Sequence, residues 1–199
     1  MSLIFVGGWA TAKEQYPVLA ESGDFLIPFV DFSPEELPDY LTGGKIIVGW
    51  STGAHILLKE CSHLFSMYDQ VILIAPFLSF IDSFPEKILR RMIAGLHKTP
   101  AAVVSSFHNN CGEKLDLSLA EENVDALIEG LEYLICSRID FVAGPSSANL
   151  VLVHGNKDKI VKESAFDSVV KIFPQAKIFR LESGHKVSES EIINLIKGP

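Results

Sequence analysis

Apolar residues along this chain follow two rhythms. Short, near-continuous runs of Val, Ile, Leu and Phe recur at Leu3–Gly7, Asp24–Asp31, Lys45–Trp50, Gln70–Pro76, Leu150–His154 and Lys177–Leu181. Such runs are what strands buried on both faces require. Between them, apolar positions return every three or four residues, as at Ile88, Leu89, Met92, Ile93 and Leu96, and again at Val124, Leu127, Ile128, Leu131 and Leu134. That spacing is the stripe of a helix packed on one side. Five S/T-x-x-E signatures (Thr11…Glu14, Ser33…Glu36, Ser83…Glu86, Ser118…Glu121 and Ser188…Glu191) fall between strands or after the last one. In each, two side chains would satisfy free backbone donors at a helix start. The alternation predicts one α/β domain over residues 1–199, with a mostly parallel sheet of about six strands and helices on both faces.

The spacing breaks its rhythm once. Residues 77–149 separate the fourth strand from the fifth, far more than a single crossover helix needs. The segment is itself helical in pattern, and it emerges at the carboxyl end of a strand, where open α/β sheets carry their sites. We read about 78–147 as a helical cap over a site; a pair of ordinary packing helices is the alternative.

The chemistry begins at Gly49-Trp50-Ser51-Thr52-Gly53, between the strand Lys45–Trp50 and a helix beginning near Ala54. G-x-S-x-G in a strand-to-helix turn is a nucleophile elbow, which strains the central residue and lifts its hydroxyl clear of the sheet at a helix N-terminus. A serine nucleophile needs a base, and the base needs a group to orient it. Asp158, in His154-Gly155-Asn156-Lys157-Asp158, and His185, after Gly184, both fall in loops at carboxyl ends of expected strands. Ser51 is therefore the expected nucleophile, His185 the general base and acid, and Asp158 the group that fixes the imidazole, with Asp140 and Asp82 as alternative acids. The expected oxyanion donors are the backbone amides of Thr52 and of Trp9, in the loop Gly7-Gly8-Trp9-Ala10. Trp9, Phe77, Phe80 and Phe107, with Phe84, would line an apolar acyl pocket. His63, His97 and His108 read as surface or packing residues, His55 as pointing away from Ser51, and His154 as a support for the Asp158 loop.

Composition narrows the partners. A net charge of −8 over 199 residues argues against nucleic acid. No apolar run reaches the ~20 residues of a membrane span, and the N-terminal Leu3–Val6 lacks the basic flank of a signal peptide. Cys61, Cys111 and Cys136 have neither disulfide nor zinc spacing, so a cytoplasmic protein without metal is expected. Lys87, Arg90, Arg91 and Lys98 would gather on one cap helix as a basic patch for an acidic partner, or as a solvated face.

Together these residues resemble the serine α/β-hydrolases, and within them the pimeloyl-[acyl-carrier protein] methyl ester esterases of biotin synthesis. The resemblance rests on Gly8-Trp9, Gly49–Gly53, Gly130-Leu131-Glu132-Tyr133-Leu134, His154–Asp158 and Gly184-His185. It implies the α/β-hydrolase fold, hydrolysis of a carrier-bound acyl methyl ester through an acyl-enzyme, no cofactor, and docking of an acyl carrier protein on the cap. The chain departs from the family pattern in three ways. Its first strand matches the third of the full fold, Gly7-Gly8-Trp9-Ala10 replaces the commoner His-Gly-Trp-Gly, and the cap is shorter. A short-chain esterase or a thioesterase shares the same residues. A non-catalytic ligand-binding protein of the same fold is a further reading.

Overall fold

A computed structural model describes residues 3–112, 123–140 and 149–198. Six strands form one sheet: β1 (Leu3–Val6), β2 (Asp24–Leu26), β3 (Gly44–Trp50), β4 (Tyr68–Ile74), β5 (Leu150–Gly155) and β6 (Lys177–Leu181). Their order is β2-β1-β3-β4-β5-β6, and every pairing is parallel. The register runs Phe5↔Val48, Val48↔Ile72, Ile72↔Val151 and Val151↔Lys177. The chain moves outward from β1 to β2, then returns to the other side of β1 and continues through β3. The carboxyl ends of β1 and β3 therefore flank the point where strand order reverses, the place where open α/β sheets leave a crevice.

Because side chains alternate across a strand, the apolar runs feed two layers. Ile4, Val6, Ile47, Val71, Leu73, Leu150 and Leu152 pack against α3 (Thr52–Glu60) and α7 (Glu163–Ile172), through Ile56, Leu57, Phe166 and Val169. Leu3, Phe5, Ile46, Val48, Ile72, Ile74, Val151 and Val153 face the other way, onto α1 (Pro17–Ser22) and α8 (Glu189–Lys197), through Leu19 and Ile192. The short α2 (Leu37–Tyr40) closes the first layer against α3 through Leu37. Truncating one of these fully buried residues, Leu57→Ala for instance, costs about 2–5 kcal/mol.

A third cluster belongs to the long segment between β4 and β5. Its described helices, α4 (Glu86–Leu96), α5 (Pro100–Cys111) and α6 (Val124–Cys136), enclose Leu89, Leu96, Val104, Phe107, Leu127, Leu131 and Leu134. The same cluster takes in Trp9 from the loop after β1, and Ala75 and Phe77 from the end of β4. These helices thus lie over the carboxyl end of the sheet.

Several expected local features are corrected. β2 stops at Leu26 and not at Asp31: Phe29 has φ 66°, Phe29 N–H donates to the Phe32 carbonyl, and Ile27 N–H donates to the Asp31 side chain, so the run folds into a turn. At Thr11…Glu14 no capping box forms; the Ala12 N–H is satisfied by the Gln15 side chain one residue on. At Ser83…Glu86 the residue before α4 is Pro85, and the Ser83 hydroxyl accepts from Lys162 N–H. Ser33…Glu36 and Ser188…Glu191 do close as boxes, and Ser118…Glu121 lies outside the described residues.

Candidate active site

β3 delivers Ser51 into a turn that leads directly into α3, and the turn is strained: Ser51 has φ 54° and ψ −112°. A non-glycine residue held there costs about 1–3 kcal/mol. The turn closes only because its neighbours are small. A Cβ on Gly53 would strike the Val6 and Gly7 carbonyls, and one on Gly49 would strike Leu57 and Ala54. The loop after β1 approaches from the other side, so that a Cβ on Gly8 would lie 3.2 Å from the Ser51 Cβ.

The hydroxyl of Ser51 donates to His185 Nε2 at 2.9 Å, and His185 Nδ1–H donates to Asp158 Oδ2 at 2.8 Å. Asp158 sits in the loop after β5 and His185 in the loop after β6, 134 residues from Ser51. The second Asp158 oxygen accepts the N–H groups of Ile160 and Val161 at 2.7 and 2.9 Å. Burial alone would raise the Asp158 pKa, but His185 and these amides together hold it below the usual carboxylate range. The result is a buried anion behind a buried imidazole, with the imidazole's free nitrogen turned to the serine. Asp140 is exposed and pairs with Arg138, and Asp82 is exposed; neither is among the hydrogen-bond partners of His185.

Sequence reasoning missed much of what holds this chain in place. Trp50, beside Ser51, donates its indole N–H to the His185 carbonyl at 3.0 Å. Lys186 N–H donates to the Cys111 carbonyl at 3.2 Å. His154 Nε2–H donates to the Val161 carbonyl at 3.0 Å, fixing the Asp158 loop, as its position at a strand end suggests. The first two join residues far apart in sequence and leave no local signal.

The backbone N–H groups of Trp9 and Thr52 donate to no acceptor among the described residues, and both residues border the space beside Ser51. That space is a cavity of about 10 Å³, walled by Trp9, Phe80, Phe84, Met92, Phe107 and Leu131. It has room for about one water. A groove of about 380 Å³ between α4 and α5 shares Phe84, Met92 and Phe107 with the cavity and carries Arg91 on its wall. Trp9 is nearly buried: its indole donates to the Leu127 carbonyl at 2.8 Å, its ring meets Phe107 edge-on, and Gly130 leaves room for it. Phe77 is not a wall of the cavity. It is fully buried and stacks on His55 at 4.8 Å.

His55 does point away from Ser51, but into a polar cluster of its own. Its Nδ1–H donates to the Phe77 carbonyl at 3.0 Å, so Nε2 accepts from the Ser137 hydroxyl at 2.8 Å, and Lys59 donates to the same hydroxyl oxygen at 3.1 Å. Lys87, Arg90 and Arg91 are exposed along α4, with Arg90 paired to Glu86; Lys98 is exposed just beyond the helix. Among the described residues, no three His, Cys, Asp or Glu side chains gather to hold a metal, and no helix is long and apolar enough to cross a membrane.

No protein-family model and no curated protein matches this sequence. Solved structures do match it. It is similar to an esterase from Thermogutta terrifontis (TM-score 0.68, 15% identity, covering 99% of this chain and 87% of that one). It is similar to an esterase from Exiguobacterium antarcticum (TM-score 0.67, 12% identity, 100% and 92%). A meta-cleavage product hydrolase from Pseudomonas fluorescens is also similar (TM-score 0.65, 13% identity, 99% and 89%). The fold is the α/β-hydrolase fold. At these identities the likeness speaks for the architecture; the chemistry must be argued from the site.

Proposed function

We propose that this chain is a serine carboxylesterase. One observation carries the reading: Ser51, strained at a strand-to-helix turn, shares a continuous hydrogen-bonded chain with His185 and Asp158, at 2.9 and 2.8 Å. The esterases among the similar structures support it. His185 Nε2 takes the proton as Ser51 Oγ attacks the ester carbonyl carbon, and Asp158 stabilises the imidazolium that forms. The carbonyl oxygen, now negative, is received by the Trp9 amide in the loop after β1 and the Thr52 amide at the start of α3. His185 then protonates the departing alkoxide, leaving an acyl-enzyme. Water, activated by the same base, releases the acid and restores Ser51.

For the substrate we favour the methyl ester of a linear acyl chain held on a carrier protein, as in pimeloyl-[acyl-carrier protein] methyl ester, with methanol as the first product. The apolar groove that adjoins the cavity across Phe84, Met92 and Phe107 supports a chain. The exposed Lys87, Arg90, Arg91 and Lys98 support an acidic carrier, on a protein whose net charge of −8 would otherwise repel it. A chain of that length needs the wall of Phe84, Met92 and Phe107 to part. The small cavity beside Ser51 favours a second reading, a short-chain esterase whose acyl group fits without such opening.

Turnover of the methyl ester of pimeloyl-carrier protein, with Ser51→Ala as the blank, separates these. Fast Ser51-dependent release of methanol is the expected result. Cleavage of acetate esters alone would leave the esterase and remove the carrier-bound substrate. Inertness toward both would remove the esterase reading.

A further inference from the structure

The Trp9 amide can serve as an oxyanion donor only if its peptide plane is held, and two side chains outside the Ser51–His185–Asp158 chain hold it. Trp9 N–H and the Gly8 carbonyl belong to one planar trans peptide, so they point in opposite directions. The Gly8 carbonyl is gripped twice by one residue, by Thr11 Oγ1–H at 2.8 Å and by Thr11 N–H at 3.3 Å. Gripping the carbonyl aims the N–H the other way. This is the work of the hydroxyl that the S/T-x-x-E pattern would have spent on a helix start.

The turn so closed has Ala10 in its third position at φ 57°. A left-handed conformation costs an alanine roughly 1–2 kcal/mol, so an unheld loop would relax out of it. His108 prevents that relaxation. It reaches from α5, 98 residues away, and donates Nε2–H to the Ala10 carbonyl at 3.0 Å. His108 is 1% exposed, and burial, assisted by Lys186 and His185, lowers its pKa to about 4 despite the bond to Ala10. The ring is therefore neutral at pH 7 and keeps its proton on the nitrogen that the carbonyl needs. One turn later on the same helix, the Cys111 carbonyl accepts Lys186 N–H, next to His185. The last turn of α5 thus braces the oxyanion loop and the base loop against each other.

We propose that Thr11 and His108 are positioning residues for acyl transfer: Thr11 orients the Gly8–Trp9 peptide toward the developing oxyanion, and His108 locks the turn that carries it. The proposal rests on the serine esterase reading of the same site. Neither residue touches the reacting atoms, so each acts on the transition state through the Trp9 amide and leaves ground-state binding alone.

The test is p-nitrophenyl acetate hydrolysis by full-length Thr11→Val, Thr11→Ser, His108→Leu and His108→Gln proteins, with kcat and KM resolved and thermal unfolding recorded for each. Losing one oxyanion donor outright costs about 10²–10³ in kcat, and loosening one should cost about 10–100-fold. We expect that loss in Thr11→Val and His108→Leu with KM nearly unchanged. Thr11→Ser and His108→Gln, which keep a donor, should return most of it. Wild-type kcat in Thr11→Val, which is isosteric and expected to fold, would overturn the proposal while leaving the esterase intact. So would an equal loss in the donor-keeping variants at unchanged unfolding temperature. Absence of Ser51-dependent turnover in the wild-type protein would instead remove the reading on which the proposal stands.

Discussion

Two serine–histidine pairs are buried among the described residues. His185 accepts from the Ser51 hydroxyl at 2.9 Å, and His55 accepts from the Ser137 hydroxyl at 2.8 Å, with both imidazoles 1% exposed or less. By the serine–histidine distance alone they cannot be told apart. They differ in what stands behind and around them. His185 has a carboxylate on its other nitrogen, whereas His55 has the neutral carbonyl of Phe77. Ser51 is held at φ 54° on a turn facing a cavity and two unclaimed amides; Ser137 follows α6 at φ −77° and already accepts from Lys59. An imidazolium formed at His185 meets an anion. One formed at His55 meets burial and a cation, and burial first, then Lys59, lowers the His55 pKa to about 4 even though the Phe77 bond opposes it. A proximal serine and histidine make a hydrogen bond; the anion behind the ring, and donors waiting for the oxyanion, are what a nucleophile needs.

The largest test of that contrast is to remove each hydroxyl in turn. Ser51→Ala and Asp158→Asn should each lower esterase kcat by about 10⁴-fold or more. Ser137→Ala should leave kcat within about two-fold and instead lower stability by about 1–2 kcal/mol, the cost of buried hydrogen bonds. Comparable losses of activity at the two sites would dissolve the distinction.

A second test uses protons. His55 and His108 are both held near pKa 4 in the folded protein, against 6.5 in the unfolded chain. Between those values the unfolded chain binds protons that the folded one refuses, so stability is full above pH 6.5 and falls as the pH drops toward 4. Each histidine accounts for at most about 3 kcal/mol of that fall. Asp158 has the opposite charge type but the same sense. Its depressed pKa means its contribution is present above the carboxylate range and is lost at still lower pH. Urea denaturation at pH 7.5, 5.5 and 4.5 should therefore give decreasing unfolding free energies. A flat profile would show that these histidines are not buried neutral.

The smallest effect concerns strain. Glycine tolerates the Ser51 conformation and alanine does not, so Ser51→Gly should be more stable than Ser51→Ala by about 1 kcal/mol. The same pair of substitutions at Ser137 should rank the other way, because its backbone is unstrained.

The regions that sequence could and could not describe divide along the same line. β1, β3, β4 and β5 were legible because burial on both faces leaves continuous apolar runs, whereas the edge strand β6 is exposed along most of its length and its apolar run does not mark double burial. The turn at Ser51 was legible because only Gly49 and Gly53 fit where Ala54 and the Val6 carbonyl press against it. Asp158 and His185 were legible as candidates because each follows a strand into a loop at the same edge of the sheet, and the fold brings them to Ser51. Thr11 was misread since a local pattern competes with a tighter bond to Gly8. His108, Trp50 and the His55–Ser137 cluster were opaque for a different reason: each acts through a carbonyl or hydroxyl far away in sequence. Phe77 looked like a pocket wall and is a core ring: in the loop after β4 it is fully buried and stacks on His55.

Of the two serine hydroxyls, Ser51 is the one that a histidine backed by a carboxylate would activate. Labelling the folded protein with a fluorophosphonate and mapping the adduct by peptide mass spectrometry asks this directly. A single adduct on Ser51, lost in Ser51→Ala and retained in Ser137→Ala, is the predicted result. An unlabelled folded protein, or an adduct on Ser137, would contradict it.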